Sequence, residues 1–231
     1  MTLTASIQKH PGPRISLNPP WLTVDLGAPH SITGWPVVGP VLGTASSVTW
    51  LQVESADLPR SVDPDAFFLH RARSEGIPSE VGLLTAAEIA RYATVKHDTG
   101  NGGAVTIVAT AGLGNGESVF PSKLAKGGAS HRVGTVNILA IAPYPLTPHA
   151  QLEAISIVAE ARTAAILDLR RSTTDGRPVT GTGTDCIIIA APLEGETHMH
   201  CGLHTDLGRA LGEAAFEAAR EACARSLKET A

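Results

Sequence analysis

The chain has 231 residues, 43% of them apolar and only 4% aromatic, with 18 Lys+Arg against 22 Asp+Glu. That balance offers no basic field for a phosphate backbone and few rings on which bases could stack, which argues against nucleic acid as a partner. No run of about eighteen apolar residues could cross a bilayer, the N-terminus lacks a secretory apolar centre, and Cys186, Cys201 and Cys223 are too irregularly spaced for a disulfide framework. A reducing, cytoplasmic setting with no membrane partner is the expectation.

Pro11, Pro13, Pro19 and Pro20 stand among few large apolar groups. Residues 1–20 therefore read as a poorly ordered N-terminal arm or an edge-hugging segment, and residues 21–231 as a single domain. LTVDL (22–26) and SVTWLQV (47–53), rich in β-formers between Gly and Pro clusters, predict strands. Asp63 followed by Pro64 marks the start of a helix that runs to Gly76. Thr85, with Glu88 three residues on, has the form of a capping box and predicts a second helix through AAEIARYATV (86–95).

GAVTIVATAG (103–112) and TVNILAIAP (135–143) are nearly continuous apolar runs of strand length, which suits strands covered on both faces. The polar, glycine-rich connection between them carries His131 and Arg132, whose loop position favours solvation. Thr147-Pro148 opens the clearest helix, with Leu152, Ile155, Val158, Ala159, Ile166 and Leu169 near one face. VTGTGTDCIIIAAP (179–192) supplies another buried strand, and Thr205 can cap a last helix. The alanine-rich face of that helix suits packing against a copy of itself, so a homo-oligomer is an open expectation. Helices intermixed with doubly covered strands predict a layered single-domain α/β fold with a central mixed β-sheet.

Four stretches could carry chemistry. Gly112, Gly114 and Gly116 in AGLGNGE follow a strand, but their spacing and the Ser-Val-Phe-Pro that follows fail the dinucleotide-binding context. They either form a plain turn or let a bulky ligand approach, with Asn115 offering donor and acceptor. Asn137, an amide inside a buried strand, either pins a sheet edge or stabilises an oxyanion. If TGTGTD were extended, Thr180, Thr182 and Thr184 would share one face, with Gly181 and Gly183 leaving the other bare. Asp185 at the strand mouth is then either a proton acceptor or a carboxylate bonded to nearby amides in a turn. His198, His200, Cys201 and His204 are dense in ETHMHCGLHTD, yet they match no H-E-x-x-H or paired C-x-x-C pattern, so no metal ligands are assigned. His204, just before the cap at Thr205, is the better general acid/base.

Taken in order, TAGLGN (110–115), GTVNIL (134–139), TGTGTD (180–185) and CGLHTDLGRALG (201–212), with EARTAAILDL (160–169) between the second and third, resemble the adenosylcobinamide amidohydrolase family. The resemblance implies hydrolysis of the aminopropanol amide of adenosylcobinamide, a corrinoid substrate, to adenosylcobyric acid and 1-amino-2-propanol, with no cofactor. Carried over motif by motif, it implies site residues Asn115, Asn137, Thr182, Thr184, Asp185, His204 and Thr205. In this expectation Asp185 or His204 activates water while Asn137 and the amides near Gly181 to Gly183 hold the oxyanion. Thr184 completes the catalytic set, and Asn115, Gly114, Thr182 and Thr205 contact substrate. A threonine or Cys201 acting as direct nucleophile is the covalent variant. The rival expectations are a related enzyme for another secondary amide, a non-catalytic corrinoid-binding module, and a metal protein built on the histidine cluster.

Overall fold

The apolar runs and turn signals organise eight strands and three helices in a computed structural model that describes residues 12–122 and 134–227. In chain order these are β1 (Arg14–Asn18), β2 (Trp21–Gly34), β3 (Leu42–Gln52), α1 (Pro64–Glu75), β4 (Gly82–Thr85), β5 (Ala93–Asp98), β6 (Ala104–Ala111), β7 (Val136–Ile141), α2 (Pro148–Asp168), β8 (Cys186–Pro192) and α3 (Asp206–Leu227). The sheet runs β4-β3-β2-β8-β7-β6-β5, with β1 paired to β2 outside that path. The β3·β4 and β7·β8 pairs are parallel and the others antiparallel, so the sheet is mixed as expected.

β7, α2 and β8 form a crossover unit, and Asn137 to Ile141 pair in register with Cys186 to Ala190. α2 and α3 cover one face of β5 to β8 through a core of small and branched residues including Ile138, Ala154, Ile187, Leu211 and Ala218. The other face is covered by the sheet itself. β2 changes register between Asp25 and His30, where Gly27 has φ 79° and its amide donates to Asp25 Oδ1 at 2.8 Å. Such a bulge bends a strand, and the bent half folds over so that Trp50 and Leu83 pack in one cluster with Val108, Leu139 and Ile188. This is why β6, β7 and β8 read as unbroken apolar runs rather than alternating ones. At about 25 cal/mol per Å², each fully buried Leu or Ile in those layers contributes roughly 1.5–3 kcal/mol.

Residues 14–18, inside the stretch read as an arm or edge-hugging segment, form β1 beside the first half of β2, which agrees with the second of those alternatives. Other expectations need correction. The second predicted helix is absent: Thr85 closes β4, a single 3₁₀ turn spans Ile89–Arg91, and β5 follows. Thr85 Oγ1 does accept from the Ala87 amide, but Glu88 lies in extended conformation at ψ 109° and the chain turns away. The alternating burial of Ala93–Asp98 is the strand signal that the capping box outweighed. The alanine-rich face of α3 is not free for a second copy, because Ala214, Ala215, Ala218 and Ala219 are wholly buried in the core beneath α2 and the sheet. No described helix is long and apolar enough to cross a membrane.

Candidate active site

The predicted site residues divide between the two ends of β7 and β8. Asn115, Asn137, Thr182, Thr184 and Asp185 lie at the amino ends of these parallel strands, whereas His204 and Thr205 follow their carboxyl ends. α2 spans the gap: its Arg162 meets Asp185, and its Glu153 meets the Cys201 amide. Nine residues at 1.5 Å rise set those two contacts about 13 Å apart along the helix. One hollow therefore does not hold both Asp185 and His204.

At the amino end, TGTGTD is a turn rather than an extended segment. Asp185 Oδ1 accepts from the Val136 amide at 2.9 Å and from Thr182 Oγ1, while Oδ2 accepts from Arg162 Nη1 at 2.8 Å and the Thr182 amide at 3.0 Å. A carboxylate has about four acceptor sites, so these partners occupy it, and its side chain is only 6% exposed. Thr184 Oγ1 donates to the Gly134 carbonyl, and Thr180 Oγ1 accepts from the Val119 amide. Asn137 is fully buried; its Nδ2 donates to the Leu84 carbonyl at 2.8 Å and its Oδ1 accepts from Thr135. That bond stitches β7 to the folded-over β4 and commits one of the two amide N–H groups to the Leu84 carbonyl. Gly181 is buried, while Gly114 and Gly183 are exposed. Asn115 is half-buried, with an Oδ1 that finds no partner among the described residues. His131 and Arg132 lie outside the described residues.

At the carboxyl end there is a hollow of about 370 Å³, lined by Thr99, Tyr144, His198, His204, Asp206 and Leu207 among others. Open α/β sheets bind ligands outside the carboxyl ends of their parallel strands. The Tyr144 ring stacks on His198 with centroids 4.5 Å apart, and its hydroxyl pairs with Thr99 Oγ1 at 3.1 Å. The His198 backbone is clamped on both sides, its amide donating to the Pro145 carbonyl and its carbonyl accepting from the Thr147 amide. Thr147 caps α2 through the Ala150 amide and donates to the Met199 carbonyl, so one hydroxyl fixes both the helix start and the hollow's wall.

His204 is exposed, and its ring lies over Gly202, where an added Cβ would stand 2.8 Å from Nδ1. Thr205 is the cap of α3, accepting from the Gly208 amide at 2.9 Å and donating to the Gly202 carbonyl at 2.8 Å. Gly208 carries no side chain because a Cβ there would meet the Gly202 carbonyl oxygen at 2.1 Å, so the loop bearing His204 lies directly on the helix. Asp206 and Leu207 open this 22-residue helix and line the hollow. The first amides of a helix have no intrahelical acceptor and sit at the positive end of its dipole.

Cys201 is fully buried, and burial followed by the nearby Glu153 carboxylate pushes its thiol up to about 12. A thiol held neutral makes a poor nucleophile, which removes Cys201 as the direct attacker. Sequence reasoning missed Tyr144, Thr99 and the opening amides of α3. Tyr144 carried a signal, standing in the short connection between an apolar strand and a capped helix.

A family model described as adenosylcobinamide amidohydrolase matches residues 7–231. No curated protein matches the chain.

Proposed function

The chain belongs to the adenosylcobinamide amidohydrolase family, enzymes acting on an amide bond of that corrinoid, and we propose that it hydrolyses the aminopropanol amide of adenosylcobinamide at the hollow beyond β7 and β8. The products are adenosylcobyric acid and 1-amino-2-propanol. The observation that carries the site is the meeting of His204 with the start of α3 in one solvent-reachable hollow.

In this reading His204 takes a proton from water as the water oxygen attacks the amide carbon. The tetrahedral oxyanion forms against the opening amides of Asp206 and Leu207, where the α3 dipole favours negative charge. His204 then gives its proton to the departing nitrogen, the C–N bond breaks, and carboxylate and amino alcohol leave. Thr205 contributes by holding α3 and the His204 loop in register. The hollow suits a propanolamide arm rather than a whole macrocycle, and Met199, 62% exposed, offers an apolar edge against which the corrin can rest.

The locked state of Asp185 and Asn137 supports a structural role for the amino-end motifs, which tie α2 and β4 to the ends of β7 and β8 opposite the hollow. Incubation with adenosylcobinamide in H₂¹⁸O, followed by mass spectrometry, tests the reaction. The expected result is loss of the aminopropanol unit with one ¹⁸O in the new carboxylate. Recovery of unchanged corrinoid would refute it, and cleavage of a different secondary amide would favour the related-enzyme reading.

A further inference from the structure

On the rim of the hollow, His149 and Glu153 from the first turns of α2 meet His200 from the segment after β8, and one ligand atom from each lies within 4.8 Å of the other two. We propose that these side chains form a site for a divalent transition-metal ion of the zinc class.

Two imidazoles and one carboxylate are the donor set of three-ligand zinc sites that keep open positions for water. His149 Nε2 and Glu153 Oε1 are 3.3 Å apart. Bonds of about 2.0–2.1 Å in tetrahedral geometry set two ligand atoms at roughly that separation. The two imidazoles stand edge to face, with centroids 5.8 Å apart and planes at 89°, so both rings can direct a nitrogen at one point without stacking. Glu153 is itself oriented by a second contact, since its Oε2 accepts from the Cys201 amide at 2.6 Å. Such outer bonds fix a ligand's direction.

An i,i+4 ion pair on a helix surface accounts for His149 and Glu153 but not for His200. The ion would join α2 to the loop between β8 and α3, and His200 places it beside the hollow. Sequence reasoning placed the histidine chemistry on His198, His200, Cys201 and His204, but His198 is stacked on Tyr144 and Cys201 is buried. The readable signal was H-x-x-x-E at the start of α2, which sets both groups on one helix face.

The test uses untagged, chelator-treated full-length protein and calorimetric titration with Zn²⁺, with Co²⁺ absorption as a second readout of ligand number. One ion per chain is expected, with micromolar or tighter affinity. His149→Ala and His200→Ala should each weaken it by more than the roughly 10–100-fold that loss of an outer-shell partner costs. Cys201→Ser, which keeps the backbone amide, should bind as wild type. No stoichiometric binding by the folded protein, or unchanged binding in both histidine variants, would overturn the assignment. The binding readout requires no turnover, so its outcome is independent of whether the corrinoid amide is cleaved.

Discussion

Arg162 Nη1 donates to Asp185 Oδ2 at 2.8 Å, joining the later part of α2 to the residue just before β8, with the two side chains only 16% and 6% exposed. Removing one member of such a pair leaves a charge without its partner, which costs about 3–5 kcal/mol. Asp185→Asn and Arg162→Met should each lower unfolding free energy by that order in urea titrations. The double variant should lose less than the sum of the two, because no orphaned charge remains. Lost turnover in Asp185→Asn should track lost folded protein. Additive losses, or singles as stable as wild type, would show that the pair does not hold the strand end.

The cap of α3 makes a smaller and more local prediction. Thr205→Ala removes the acceptor for the Gly208 amide and should cost about 1 kcal/mol, whereas Thr205→Ser keeps the hydroxyl and should cost much less. Equal losses in the two variants, read by denaturant unfolding, would place the contribution in the methyl group instead.

Cys186, Cys201 and Cys223 are all free and buried. Burial, the largest cause for each, raises their thiols from 9.0 to about 11, about 12 and about 12 respectively. A group whose pKa is raised by folding contributes stability that is fully present below its unfolded value and lost as pH rises toward its folded one. Stability should therefore hold up to about pH 9 and decline toward pH 12. The native protein should also resist a thiol reagent at neutral pH and react fully once unfolded. Rapid labelling of Cys201 in the native state would return it to the list of nucleophiles.

The layered α/β fold was legible because double coverage of β6 to β8 writes itself as continuous apolar runs, and because Asp63, Thr147 and Thr205 sign the helices that follow them. β5 was not legible, since Thr85 and Glu88 present a local capping pattern that tertiary pairing with β6 overrides. The candidate site was half legible. Motif order placed Asp185 and His204 in one list, but β8 sets them at opposite ends, a separation that no linear spacing encodes. Nor could sequence show Glu153 turned toward Cys201, because that contact spans 48 positions.

The central claim is that the hollow beside α3 does the chemistry and that His204 moves the proton. Steady-state turnover of adenosylcobinamide by His204→Ala, a change at an exposed side chain with no cost expected to folding, tests it most directly. General acid/base catalysis contributes roughly 10²–10⁴-fold, so kcat should fall by at least about 100-fold while the unfolding midpoint stays at the wild-type value. Turnover at the wild-type rate by the folded variant would contradict the account.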